Sequence, residues 1–317
     1  MPGPSIEAVN LTKRFGSFTA LSNLNLKIEG AKCVGFLGPN GAGKTTTLKI
    51  FTDLIRASEG KALINGIDVH EQKKKALDSC GTLIETPEIY PSFTPREALS
   101  MIAELRGVMS SKIRGRIDDV LAEVKMSEWA DKKVGKFSKG MKQRVNIAAA
   151  LLTDPEIVIV DEPTTGLDPR GQAEVRDIVR SLKAKNRLVF MSSHLLNEVA
   201  EICDEVAMID HGKLIVYDKL SNVTSRFSHD GGGTIVDAEL VRDIDDGTIN
   251  NSISVLDGVV SIEKINPRNL RLKLSGGLED QARLLEALAG MKIGLVSFKP
   301  SSSSLEDTYL NLIKDTL

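Results

Sequence analysis

The sequence predicts an α/β fold followed by a smaller α+β unit, and three observations carry that expectation. A short apolar segment, Ala31 to Leu37, leads into the glycine-rich stretch Gly38-Pro39-Asn40-Gly41-Ala42-Gly43-Lys44-Thr45 and then into a stretch of helical periodicity, Thr46 to Ile55. The apolar runs Ile157 to Val160 and Leu188 to Met191 are of the kind found in parallel strands buried on both faces, and a helical stretch around Ala173 to Ala184 separates them. Around Ser225 to Gly233 the periodicity stops, three glycines follow one another, and a new set of elements begins.

In chain order, Ile6 to Phe15 and Leu21 to Ile28 alternate apolar and polar residues, as half-buried antiparallel strands do. The helix expected over Thr46 to Ile55 places Leu48, Phe51, Leu54 and Ile55 on one face. Two short strands, Lys61 to Ile64 and Ile67 to Val69, flank Asn65-Gly66, a strong hairpin signal, and this hairpin is expected at a sheet edge. From about 90 to 152 the pattern is that of an inserted helical subdomain. Thr94-Pro95-Arg96-Glu97 supplies a cap, a first-turn proline and a capping-box glutamate for a helix reaching about Arg106. Ile113, Ile117, Val120, Leu121 and Val124 mark a second helix. Ser138 caps a third that carries Val145, Ile147, Ala148, Leu151 and Leu152. Val206 to Ile209 and Lys213 to Val216 form a further hairpin across His211-Gly212. Beyond the glycine run, Val259 to Ile265, Asn269 to Leu274, a helix near Glu279 to Ala289, and Ile293 to Phe298 give a β-β-α-β order, closed by an amphipathic helix from Leu305. The expected domains are therefore 1–229 and 230–317.

The glycine-rich stretch fits a phosphate-cradling loop. Glycines let successive backbone N–H groups curl around a phosphate, Lys44 offers a point charge, and the Thr45 hydroxyl can ligate Mg²⁺. The helix that follows, from Thr46, places its N-terminal dipole at the anion. The chain is thus expected to bind a nucleoside triphosphate. Such a site needs carboxylates, and the buried run Ile157 to Val160 ends in Asp161-Glu162. Asp161 can serve the Mg²⁺ shell and Glu162 can face a water opposite the γ-phosphate.

Composition narrows the function classes. The 317 residues carry a net charge of −2, which gives no single-sign field for nucleic acid. The one basic run, Lys73-Lys74-Lys75, reads as a solvated helix face. No apolar run approaches the roughly 20 residues needed to span a bilayer, and no secretory signal is visible at MPGPSIEAVN. Three scattered cysteines, Cys33, Cys80 and Cys203, have no metal-ligand spacing and read as packed thiols of a cytosolic chain.

Between the two phosphate motifs lies Phe137-Ser138-Lys139-Gly140-Met141-Lys142-Gln143-Arg144. With this segment the chain, over about Ile6 to Val216, resembles the ATP-binding cassette family, whose signature LSGGQ here reads FSKGM. Ser138 and Gly140 are retained, while Lys139 and Met141 depart from the pattern. The resemblance implies that Phe15 stacks on adenine and that Thr165-Gly166-Leu167-Asp168 is a dimer-contact loop with Asp168 at the nucleotide interface. It implies that His194 is a switch histidine and that Thr46 joins Gly38 to Thr45 around the phosphates. It also implies an ATP-dependent, head-to-tail homodimer in which Ser138 of one subunit meets the γ-phosphate on the loop of the other. Glu85, in Thr82-Leu83-Ile84-Glu85, stands where the family has a loop glutamine. As a Mg²⁺ ligand it adds negative charge to an anionic site, a departure shared with bacitracin- and lantibiotic-type exporters. The tail Ser304 to Leu310 resembles that of drug- and sodium-export cassettes, which pair with separate integral membrane permeases. The expectation is an ATPase subunit of a two-component exporter, cytoplasmic and peripheral at the inner face of the membrane. A soluble cassette ATPase with a non-transport role is the alternative.

Overall fold

The computed structural model describes residues 3–85, 87–223 and 235–301. Chain contacts divide it into two compact units, Met1–Lys219 and Leu220–Leu317. The glycine run near 231, the closing helix expected from Leu305 and the tail Ser304 to Leu310 lie outside the described residues.

The first unit contains two sheets. Strands β1 (Ser5–Phe15), β2 (Phe18–Glu29), β4 (Glu59–Ile64) and β5 (Ile67–Asp68) form an antiparallel sheet in the order β2-β1-β4-β5. The hairpin at Asn65-Gly66 lies at its edge, and both turn residues have positive φ, 50° and 74°, the geometry for which Asn-Gly is selected. The second sheet contains β3 (Cys33–Leu37), β6 (Cys80–Leu83), β7 (Ile157–Asp161), β8 (Leu188–Ser193), β9 (Glu205–Asp210) and β10 (Lys213–Lys219), ordered β10-β9-β3-β8-β7-β6. All its pairings are parallel except β9 with β10. β3 is buried at every position because it sits inside the sheet, which is why it reads as a continuous apolar run. Phe36 and Phe51 pack on Phe190, at centroid distances of 5.3 and 6.1 Å, in one core that joins the two sheets.

Helix α1 (Lys44–Phe51) follows the glycine-rich loop. It is shorter than the sequence pattern suggests: Asp53 adopts φ 50°, the chain leaves the helix, and Leu54 is exposed instead of sharing the buried face of Leu48 and Phe51. In α2 (Lys73–Leu77) all three lysines of the basic run are exposed, as a solvated face requires, and Lys73 pairs with Asp53 at 3.2 Å. Helices α3 (Pro95–Leu105), α4 (Ser110–Glu123) and α5 (Lys139–Leu151) make up the helical insertion. The expected capping box of α3 is formed: Thr94 accepts from the Glu97 backbone while Glu97 accepts from the Thr94 backbone. Helices α6 (Pro169–Ala184) and α7 (Leu196–Ile202) complete the unit.

The second unit is a four-stranded antiparallel sheet with a helix over one face. Its strands are β11 (Ile235–Leu240), β12 (Val259–Asn266), β13 (Asn269–Leu274) and β14 (Leu295–Ser301), in the order β12-β13-β11-β14, and α8 is Leu278–Gly290. β11 is absent from the sequence expectation because it directly follows the linker signal. Its alternating Val236, Ala238 and Leu240 nevertheless face the core beside Leu270, Leu272, Leu284 and Leu288.

Candidate active site

The parallel register decides where the chemistry collects. Leu37, at the end of β3, is level with Ser193 of β8, and Ser192 is level with Asp161 of β7. The glycine-rich loop, Asp161-Glu162 and Ser192-Ser193-His194 therefore emerge together at the carboxyl edge of one sheet, where open α/β sheets place their ligands.

The loop is built around backbone. Gly41 and Gly43 have φ of 83° and 108°, and a Cβ on Gly43 would lie 2.8 Å from the carbonyl oxygen of Ala20. A Cβ on Gly38 would come within 2.3 Å of the Ile209 carbonyl oxygen. No side chain caps α1, whose N-cap is Gly43, so its first amides point into the cradle without a side-chain partner. Lys44 is buried, and its Nζ donates to the carbonyls of Gly38 at 2.8 Å and Pro39 at 3.1 Å. Asn40 is exposed at the loop tip, Ala42 is buried, and Thr45 and Thr46 are half-buried at the helix start.

Glu162 lies at the centre of the cluster. One carboxylate oxygen is 3.5 Å from Lys44 Nζ. The other accepts from the Thr165 hydroxyl at 2.9 Å and lies 3.0 Å from His194 Nδ1. Burial pushes this carboxyl up, but the Thr165 hydroxyl, His194 and Lys44 outweigh it and hold the group below its ordinary value. Ser192 is fully buried and acts at two points: its hydroxyl donates to Asp161 Oδ1 and accepts the Glu162 backbone N–H at 2.9 Å. No local sequence signal marks Ser192 for this role; a hydroxyl level with Asp161 across two parallel strands is visible only once the register is known.

The remaining candidates are more dispersed. Phe15 is half exposed at the β1–β2 turn, and Lys13 Nζ stands over its ring, 4.8 Å from the centre. Ser138 caps α5, accepting from the Met141 N–H at 3.2 Å. Gly140 packs against Gly171 of α6, whose N-cap is Asp168. Glu85 follows β6, whose Leu83 is level with Val160 of β7, so it leaves the sheet at the same edge as Asp161 and Glu162; its carboxylate pairs there with Lys49 of α1 at 2.5 Å and is mostly exposed. An exposed pair of this kind contributes about 0–1 kcal/mol, so it is easily exchanged for another partner. A cavity of about 940 Å³ lined by Arg116, Asp154, Glu156 and Arg187 lies at the opposite, amino edge of the strands, remote from this chemistry.

Comparison with known proteins points the same way as the geometry. A family model described as ABC transporter matches residues 21–165. The chain is 35% identical over 316 residues to the bacitracin transport ATP-binding protein of Bacillus licheniformis, an alignment that spans 97% of each protein. It is 35% identical over 223 residues to a lantibiotic transport ATP-binding protein of Streptococcus pyogenes, across 69% of this chain and 94% of that one. Among solved structures, a dimeric ATP-binding cassette in a post-hydrolysis state with ADP and phosphate matches with a TM-score of 0.61. Its identity is 27%, over 68% of this chain and 98% of that chain.

Proposed function

The chain belongs to the ABC transporter family as an ATP-hydrolysing subunit, and from that premise we propose that it drives an exporter whose translocation path is formed by separate integral membrane subunits. Among the described residues no helix is long and apolar enough to cross a membrane, and the naming of relatives as transport ATP-binding proteins supports a path formed by other chains. The relatives' names, bacitracin and lantibiotic transport, support export over the soluble alternative. The observation that carries the reading is the convergence of Lys44, Thr165 and His194 on the Glu162 carboxylate beside the phosphate loop.

In this reading the backbone from Gly38 to Gly43 and the amides of Lys44, Thr45 and Thr46 hold the triphosphate, and Phe15 stacks on the adenine. Glu162 polarises the attacking water, while Lys44 and His194 face the charge that develops on the γ-phosphate. The oxygen donors Thr45 and Asp161 suit a hard cation, and together they would hold the Mg²⁺ that neutralises phosphate charge. Ser192 occupies one Asp161 oxygen and leaves the other free for that task. Ser138 and Gly140 serve nucleotide bound on a second copy, and Asp168 faces that copy, giving a head-to-tail homodimer closed by ATP and peripheral at the cytoplasmic face of the membrane.

Lys49 engages one Glu85 oxygen, and the other is the one Glu85 would turn to the cation. Glu85→Gln is then expected to keep turnover within about tenfold, because one oxygen donor replaces another, and to weaken the Mg²⁺ dependence; Glu85→Ala is expected to do more harm. ATPase rates across a Mg²⁺ titration check this, and superposable curves for native and Glu85→Ala would remove Glu85 from the site. The transport reading is tested in the native host by purifying the tagged chain from detergent-solubilised membranes. A polytopic membrane protein is expected to co-purify in stoichiometric amount. Recovery of the chain only from the soluble fraction, without such a partner, would favour the non-transport alternative.

A further inference from the structure

Glu162 adopts φ 42°, a left-handed backbone conformation that a residue with a Cβ enters at a cost. Such a conformation persists where the surroundings fix it from both sides. On one side the Glu162 N–H donates to Ser192. On the other, the Pro163 carbonyl accepts from Gln143 Nε2 at 2.9 Å in a buried bond. Gln143 is 5% exposed and lies on α5, little more than one turn beyond Ser138. Two more contacts reinforce this joint. A Cβ on Gly140 would come within 3.2 Å of Gly171 Cα, so the two helices meet backbone to backbone, and Arg144 reaches Glu174 at 3.3 Å. The start of α5 and the segment from Glu162 into α6 are therefore held as one piece.

We propose that Gln143 is a positioning residue that ties the orientation of Glu162 to the seating of the helix carrying Ser138 in the same subunit. The inference rests on the composite-site reading above. Ser138 engages nucleotide held by the second copy, while Glu162 serves nucleotide on its own loop. Gln143 therefore carries closure on one nucleotide to the base that acts on the other, and the two sites of the dimer are coupled through the joint that its amide closes. The Gln143 amide suits the task because it is a neutral donor of fixed length, and it adds no charge beside Lys44 and Glu162.

The test is Gln143→Met, which keeps volume and removes the donor, measured with ATP and Mg²⁺ beside the native protein. The expected result is a kcat lower by about tenfold, what one buried hydrogen bond is worth when it acts on the reacting state. KM for ATP should stay within about twofold, and any sigmoidal dependence on ATP should be lost. Gly171→Ala, whose Cβ would lie 2.8 Å from Asp168 Oδ1, disturbs the same joint without touching the amide and should show the same loss confined to kcat. A native kcat in Gln143→Met overturns the proposal. So does a parallel loss of ATP affinity and turnover in both variants, which would make the bond merely structural. Glu162→Gln is the control: if it forms an ATP-dependent dimer and Gln143→Met/Glu162→Gln does too, the composite site stands and the kinetics judge Gln143 alone. If Glu162→Gln forms no such dimer, the composite-site reading falls and the coupling falls with it.

Discussion

Lys44→Ala is expected to abolish productive ATP binding. Lys44 faces the inside of the loop: it is 5% exposed, held by the Gly38 and Pro39 carbonyls, and set 3.5 Å from Glu162. Its removal leaves two carbonyls without their donor and leaves Glu162 with Thr165 and His194 but no lysine charge beside the incoming phosphates. Truncating one partner of a desolvated charge pair costs about 2–5 kcal/mol in binding, a loss of roughly 30-fold or more in affinity. Titration calorimetry with ATP and Mg²⁺ measures it directly, and an affinity within about twofold of native would withdraw the phosphate-loop assignment.

Glu162→Gln should separate binding from chemistry. The amide preserves shape and can still meet Thr165 and His194, so ATP should bind, but a base that polarises water is gone and turnover should fall by about 10²–10⁴-fold. The stalled state should accumulate as an ATP-dependent dimer, seen by size exclusion with and without ATP. Hydrolysis at the native rate would place the base elsewhere. The pH dependence has a defined sign. The Glu162 carboxyl is held below its ordinary value of 4.5 despite its burial, so it is ionised through the neutral range. Activity should be lost through its protonation only as pH falls below that value. An acid limb near neutrality would have to belong to another group.

The phosphate loop, the acidic end of β7 and the helix caps at Thr94 and Ser138 are legible in the sequence for one reason: each is specified by residues only a few positions apart. Glycine where φ is positive, a hydroxyl one residue before a helix and a carboxylate at the end of an apolar run carry their physical reason locally. The same holds for the hairpins at Asn65-Gly66 and His211-Gly212. The end of α1 was less legible, because the left-handed turn at Asp53 carries no glycine to announce it. β11 was hidden because a strand beside a linker gains its identity from partners that come later, β13 and β14. What only the tertiary structure decided is which side chains meet. Ser192 lies 30 residues from Glu162, Gln143 lies 20 from Pro163, and Lys49 lies 36 from Glu85. Strand register and helix packing set these distances. A sequence read along one dimension supplies the groups that can do the chemistry, and the parallel sheet, by aligning the ends of β3, β8 and β7, decides which of them act on the same phosphate.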